Sequence, residues 1–97
     1  MKILIINPNS DAKMTASILE SARAFVKGAY EVDCIHVDDA PPFIGSYGDI
    51  AMAGPGILRT IKENEHSYDG FVIACHLDPC LDAAKAATTK PVLGIGE

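Results

Sequence analysis

The sequence has no tryptophan, few other aromatic residues and fewer basic than acidic side chains. Lys and Arg number 8 against 13 Asp and Glu, which gives a formal charge of −5 that is spread along the chain. A nucleic-acid-binding domain normally carries a basic patch, so this charge argues against a nucleic-acid partner, and nothing in it indicates a membrane partner. The 48% of hydrophobic and 22% of charged residues are typical of one globular domain, which we expect to span residues 1–97.

The chain also lacks long apolar runs, and its number of cysteines is odd. The run at residues 3–6 is too short for a secretory signal, and no stretch is long enough to cross a bilayer. Three cysteines without an export signal indicate reduced thiols and a cytoplasmic location rather than a disulfide framework. No metal site is expected, because Cys75, His76 and Cys80 have no second ligand pair at zinc-finger spacing.

Short apolar runs alternate with segments of helical periodicity. Strands are predicted at residues 2–6, 31–37, 71–74 and 91–95, with the second nearer the sheet edge, and helices at about 10–28, 50–64 and 81–87. Asn9 or Ser10 is expected to cap the first helix, and the sequence Gly54-Pro55-Gly56 predicts a kink or a break in the second. The alternation predicts an α/β fold with a parallel four-stranded sheet flanked by helices.

Cys75 follows directly after the apolar run at residues 71–74, which predicts a strand buried on both faces. Asp78 and Pro79 are residue types that begin helices, so Cys75 is expected where a strand passes into a helix. Ligands bind at this edge of open α/β sheets, and the positive end of a helix favours a thiolate. A cysteine that only fills space in the core is the alternative, and the residues alone leave both interpretations open.

Four segments together carry a family resemblance. They are KILIINPNS at residues 2–10 with Met14 and Thr15 shortly after, AGPGIL at 53–58, FVIAC at 71–75 followed by Asp78 and Pro79, and PVLGIGE at 91–97. The set resembles the amino-terminal half of the aspartate/glutamate/hydantoin racemase superfamily, closest to its hydantoin and allantoin racemases. The resemblance covers essentially the whole chain and implies the flavodoxin-like half of a fold in which two similar α/β halves face each other across a cleft.

The resemblance also implies a reaction and a site. Members of this family use no cofactor and racemise by moving a proton between two cysteines, one from each half, at a carbon next to a carbonyl. Cys75 matches the first of these cysteines. The resemblance further implies a small-molecule substrate site at Pro8, Asn9, Ile44 and His76, with backbone amides after Cys75 donating to the substrate carbonyl.

Three features depart from the family pattern. The chain ends where the second half with its own cysteine would begin, so we expect it to be incomplete without a second half or a dimer partner. Gly45 stands where the family often has an acidic residue, and Cys80 where it usually has glycine. His76 occupies a place more often taken by phenylalanine, where it either influences Cys75 electrostatically or is an ordinary loop residue.

Three functions are compatible with these residues. The leading hypothesis is a hydantoin/allantoin or amino-acid racemase-like protein, with proton transfer through Cys75 completed by a homodimer that brings two copies of Cys75 to one cleft. The first alternative is a non-catalytic truncated half-domain, or a subunit that needs a separately encoded partner, which predicts an exposed apolar surface near residues 92–95. The last is a thiol redox protein using Cys75 and Cys80, which their Cys-x4-Cys spacing disfavours.

Overall fold

The computed structural model describes residues 1–97 and contains four strands and three helices that alternate along the chain. The elements are β1 (Lys2–Asn7), α1 (Ala12–Val26), β2 (Glu31–His36), α2 (Tyr47–Asn64), β3 (Gly70–Ile73), α3 (Leu81–Ala87) and β4 (Val92–Gly94). All strand pairings are parallel, and the order is β2-β1-β3-β4. The predicted parallel four-stranded α/β fold is confirmed, with β2 at one edge.

The two central strands, β1 and β3, end side by side. Ile6 pairs with Ile73 in the parallel register, and the amide of Ala74 donates to the carbonyl oxygen of Ile6 over 2.9 Å. The turn after β1 therefore leaves the sheet next to the turn after β3. This register brings the Asn-Pro-Asn sequence and Cys75 to the same edge of the sheet.

One face of the sheet is closed by α2 and α3 and holds the core. Thirteen buried hydrophobic residues form this core: Leu4, Ile6, Val37, Ala40, Ile44, Ala53, Ile57, Ile61, Phe71, Ile73, Leu81, Ala84 and Val92. They come from β1, β3, β4, α2, α3 and the loop before α2. Because each large apolar side chain removed from water contributes about 1.5–3 kcal/mol, this face supplies most of the stabilisation.

The opposite face is covered only by α1 and remains partly open. α1 packs mainly over β2, and its single buried residue is Thr15. Leu93 and Ile95 are 59% and 48% exposed, and Phe25 at the end of α1 is 85% exposed. The exposed apolar surface predicted near residues 92–95 is therefore present, although Val92 itself faces the core.

α1 begins later than predicted. Its cap is Asp11, whose carboxylate accepts the amides of Lys13 at 2.9 Å and Met14 at 3.2 Å, rather than Asn9 or Ser10. A carboxylate at this position satisfies two of the otherwise unpaired amides of the first turn. Asn9 is thereby left outside the helix, in the turn that leads into it.

α2 is longer than predicted and is not broken at Pro55. Ser46 caps it by accepting the amide of Asp49 at 3.1 Å, so the helix begins at Tyr47 rather than at residue 50. Pro55 lies on the solvent side, whereas Gly56 is buried against Val37, whose Cγ1 a Cβ at position 56 would strike. The glycine that suggested a break is thus required for packing. None of the three helices is long and apolar enough to cross a membrane.

The buried thiol of Cys34 on β2 is expected to make the fold less stable at alkaline pH. Burial raises the pKa of its thiol from the ordinary value of 9.0 to about 11. As pH rises between these values the unfolded chain releases the proton and the folded chain retains it, so alkali favours unfolding. We expect the free energy of unfolding to fall by about 2 kcal/mol between about pH 8 and about pH 10.5 through this thiol, measured by urea denaturation.

The matched control for this pH dependence is Cys34→Ala, which removes the titrating thiol. Tyr68 has its pKa raised to about 12, by burial and by its hydrogen bond to Asp33, and contributes a fall of the same sign in both proteins. The difference between the two pH profiles therefore isolates Cys34. Parallel profiles would show that its ionisation does not differ between the folded and unfolded states.

Candidate functional site

All five residues that the sequence analysis places at a site line one cavity of about 360 Å³ at the carboxyl ends of β1 and β3. Pro8 and Asn9 come from the turn after β1, Ile44 from the loop before α2, and Cys75 and His76 from the turn after β3. Seven further residues line it: Asn7, Met14, Ile18, Phe43, Ala74, Leu77 and Ile95. Sequence reasoning missed these, although Met14 and Ile95 lie within the segments that carry the family resemblance.

Asn7 fixes the side chain of Asn9 at this cavity. Asn7 is fully buried, and its amide nitrogen donates to the side-chain oxygen of Asn9 at 2.8 Å and to the hydroxyl of Thr15 at 3.2 Å. The same oxygen of Asn9 accepts the backbone amide of Asp11 at 2.9 Å. The Asn9 oxygen is thus used internally, and its NH₂ group, 3.4 Å from the sulfur of Met14, is the part available as a donor.

Cys75 is a half-buried free thiol in a tight turn. Its carbonyl oxygen accepts the amide of Asp78 at 3.0 Å, which closes the turn over residues 75–78. The intervening amides of His76 and Leu77, and that of Cys75 itself, donate to no protein acceptor. Because backbone amides are obligatory donors, these three groups are satisfied by solvent or by a ligand, and they lie beside the thiol.

The prediction that Asp78 and Pro79 begin the following helix is wrong. α3 begins at Leu81, and its cap residue Cys80 has a left-handed backbone, φ 60°, and makes no side-chain capping bond. Asp78 is also left-handed, φ 47°, and its carboxylate accepts the amide of Gly96 at 2.9 Å instead of an amide of the helix. The donors beside Cys75 are therefore those of the turn, and not the N-terminal end of α3.

Cys80 lies apart from Cys75. Its sulfur is packed against Gly54 of α2 and lines a separate apolar groove, and burial raises the pKa of its thiol. The two cysteines do not share a cavity, which argues further against a dithiol redox pair. No group of three or more His, Cys, Asp or Glu side chains is arranged to hold a metal ion.

The cavity contains no Asp, Glu, Lys or Arg side chain. At Gly45, where the sequence analysis notes the absence of an acidic residue, the ring of Phe43 occupies the space that a side chain would need. The Gly45 amide donates to Asp49 at 3.0 Å, outside the cavity lining. The cavity lining contributed by Phe43 is therefore aromatic and uncharged.

A larger cavity, of about 770 Å³, lies along the edge strand β2 between α1 and α2. Most of its charged groups are paired with one another, His36 with Asp38 at 2.8 Å and Arg59 with Asp39 at 3.0 Å, and Glu63 is the exception. It holds no free nucleophile, since the sulfur of Cys34 is buried and stays protonated at neutral pH. Volume alone does not identify a site, and the chemistry favours the smaller cavity at Cys75.

The fold and this cavity define an α/β domain that presents a cysteine and an asparagine at the carboxyl edge of a parallel sheet. The family model described as Asp/Glu/hydantoin racemase matches residues 3–97, and the chain belongs to that family. The predicted membership is confirmed.

Racemases of two related activities are similar to this chain. A hydantoin racemase from Rhizobium meliloti is 43% identical over 98% of this chain and 40% of the relative, and one from a Pseudomonas species is 40% identical over 100% and 39%. The solved structure of allantoin racemase from Klebsiella pneumoniae superposes with a TM-score of 0.93 at 37% identity, covering 100% of this chain and 40% of that one. The chain is thus racemase-like in sequence and fold, and it spans about 40% of the length of these relatives.

Proposed function

We propose that residues 1–97 form a single domain that supplies one side of a cofactor-independent racemase site, with Cys75 as a proton-transferring base. The observation that carries this proposal is the arrangement at one cavity of a half-buried free thiol and three backbone amides without protein acceptors. The NH₂ group of Asn9 adds a further donor at the same cavity. A base and a set of donors are the two requirements for removing a proton next to a carbonyl.

The reaction follows from these groups. The Cys75 thiolate removes the proton from the carbon next to the carbonyl and becomes a thiol, and the electron pair of the C–H bond moves onto the carbonyl oxygen. The amides of the 75–78 turn and the NH₂ group of Asn9 donate to that developing negative charge. A second acid on the opposite face donates a proton to the carbon as the electron pair returns from the oxygen, which inverts the centre. Cys75 then releases its proton to solvent, and the second group takes one up from solvent.

The uncharged cavity favours a neutral substrate. A free amino acid carries an ammonium and a carboxylate, and burying either without a charged partner is costly. A hydantoin-like ring has the carbonyl and the acidic C–H without those charges, and its apolar substituent fits Met14, Phe43 and Ile95. His76 is exposed at the rim, where we propose that it contacts the substrate ring. We therefore favour a hydantoin-like substrate over an amino acid.

The cavity has no second cysteine, and its other acid–base side chain, His76, follows Cys75 in the same turn, so the acid on the opposite face is proposed to come from a partner. We propose that a second copy of this chain, or a complementary second half, faces the cavity and supplies a thiol. The exposed apolar side chains of Leu93 and Ile95 adjoin the cavity through Ile95 and support contact with another domain. Three free thiols accord with a reducing cytoplasmic setting for this assembly, which we propose as its location.

The test follows a single-enantiomer hydantoin with a benzyl substituent in D₂O. Solvent deuterium entering the ring C–H, measured by NMR, reports removal of the proton, and loss of optical rotation reports inversion. A dimer by light scattering that does both supports a complete two-base site, and a monomer that exchanges deuterium without inversion supports a one-base half site. A chain that does neither, alone and with a candidate second half, would contradict the function.

A second candidate is a non-catalytic half that binds a separately encoded partner. The open face with Leu93, Ile95 and Phe25 is the observation that favours it. It predicts that the same partner raises the solubility and thermal midpoint of the chain while deuterium exchange stays at the uncatalysed rate. The two candidates are therefore separated by the exchange measurement and not by binding.

A further inference from the structure

We propose that Asp78 is a positioning residue, which holds Cys75 at the cavity by tying the turn after β3 to the turn after β4. Its importance for catalysis rests on the proposed function, but the tie itself does not. The sequence predicts that Asp78 begins a helix, whereas in the structure its side chain contacts the turn after β4. Its carboxylate crosses to a segment that is distant in sequence and adjacent in space.

The carboxylate of Asp78 is enclosed by the turn after β4. One oxygen accepts the amide of Gly96 at 2.9 Å. A Cβ at Gly94 would strike the same oxygen, and a Cβ at Gly96 would strike the carbonyl oxygen of His76 and lie 2.8 Å from the other carboxylate oxygen. Gly94 therefore leaves room for the carboxylate, and Gly96 leaves room for the carboxylate and for the His76 backbone.

The backbone of Asp78 holds the other end of the tie. Its amide donates to the carbonyl oxygen of Cys75 at 3.0 Å, which closes the turn that begins at the thiol. Its left-handed backbone, φ 47°, directs the side chain away from that turn and toward Gly96. One residue thus joins the turn of Cys75 to the turn that carries Ile95 between Gly94 and Gly96, and both Cys75 and Ile95 line the cavity.

The turn after β4 is itself attached to α3. The carboxylate of Glu97 accepts the amide of Gly94 at 3.0 Å and pairs with Lys85 at 2.9 Å. Asp78 therefore anchors the Cys75 turn to a segment that already has its own support. Loss of the Asp78 carboxylate would release the Cys75 turn while leaving the Glu97 contacts in place.

Two substitutions at Asp78 distinguish the effect of the carboxylate contact with Gly96 from the effect of the left-handed backbone conformation. Asp78→Gly adopts a left-handed φ without strain and has no acceptor, whereas Asp78→Asn tolerates that φ and keeps an oxygen for Gly96. We expect Asp78→Gly to raise both the iodoacetamide rate of Cys75 and the hydrogen-exchange rate of the Gly96 amide by about fivefold, and Asp78→Asn to stay near the unaltered protein. Peptide mass spectrometry measures the first rate and NMR the second.

Asp69 gives the matched control, and Cys34 gives the internal one. Asp69 also accepts a backbone amide, that of Lys2 at 2.7 Å, at the opposite end of the sheet, so Asp69→Gly should leave the Cys75 rate unchanged. Buried Cys34 reports global unfolding, and its alkylation should not rise with that of Cys75 in Asp78→Gly. Equal acceleration of both thiols, or unchanged rates at Cys75 and Gly96, would overturn the proposal.

The alkylation and hydrogen-exchange rates can be measured without catalytic activity. They therefore test the contact between Asp78 and Gly96 even if the proposed racemase function is wrong. Where the unaltered protein exchanges substrate deuterium, Asp78→Gly is expected to lower kcat more than it raises KM, with rescue by Asp78→Asn. A tie confirmed by labelling in a chain without exchange activity would leave Asp78 as an organiser of this loop and remove only the proposed reaction.

Discussion

Replacing Cys75 with serine is expected to lower the rate of deuterium exchange into a hydantoin substrate by about 10³-fold, the scale of a general base in catalysis. A serine hydroxyl fills nearly the same space but is far harder to ionise near neutral pH, so the base is lost while the cavity keeps its shape. The rate is measured by NMR in whichever assembly of the chain is active. The fall should appear in kcat, because the amides and Asn9, which we propose hold the substrate, remain.

Cys80→Ser is the matched control, since it makes the same chemical change in the same loop. The Cys80 sulfur packs against Gly54 and lines no part of the Cys75 cavity, so exchange should remain within about twofold of the unaltered protein. Equal losses in both variants would indicate damage to the loop rather than loss of a base. Full activity in Cys75→Ser would exclude this thiol from the reaction.

Phe71→Ala is expected to lower the free energy of unfolding by about 3–5 kcal/mol, the largest effect of any single truncation in this core. Phe71 is 1% exposed on the central strand β3, pairs with Leu4 across the sheet and packs against Tyr68 with ring centroids 6.3 Å apart. Removing the ring leaves a cavity that neighbours on two elements cannot fill. Because the total free energy of unfolding of a small domain is itself only a few kcal/mol, urea denaturation followed by circular dichroism should show a largely unfolded chain.

Phe25→Ala makes the same substitution on the surface. Phe25 is 85% exposed at the end of α1, so its loss should change the free energy of unfolding by no more than about 0.5 kcal/mol. Comparing Phe71→Ala with Phe25→Ala distinguishes the effect of burial on the free energy of unfolding from the effect of the Phe-to-Ala change itself. Similar losses in both variants would mean that α1 packs more closely on the sheet than its exposure indicates. If the proposed partner covers the open face, the Phe25 result is expected to change in the complex and the Phe71 result to persist.

The sheet could be predicted because its information is local. Apolar runs of β-branched residues, separated by turn residues, identify each strand, and their alternation with helices determines the parallel arrangement. The position of Cys75 at the end of a buried strand follows from the same pattern, whereas its closeness to the Asn-Pro-Asn turn, which depends on the pairing of β1 with β3, was implied only by the family resemblance. The predicted strands and the position of Cys75 depend on residues that are neighbours in sequence.

The error at Asp78 arises because a local preference is overruled by a distant contact. Asp78 and Pro79 form a typical helix start, yet the acceptor of Asp78 is engaged by Gly96, 18 residues away. Of the kink or break expected at Gly54-Pro55-Gly56, the break does not occur: the helix is continuous, Pro55 faces solvent and Gly56 packs on Val37. The role of Asn7 was also missed, since a buried amide inside a strand has no sequence signature until its partners are known.

The strand order β2-β1-β3-β4 has a consequence for how this cavity arises. The chain runs from β1 outward to β2 by way of α1 on one face, and from β3 outward to β4 by way of α3 on the other. The segments leaving β1 and β3 must therefore part in opposite directions, and a crevice opens between them whatever side chains they carry. The connectivity of the strands creates the recess at this topological switch point. The side chains of the turns after β1 and β3 can therefore change without a change in the fold.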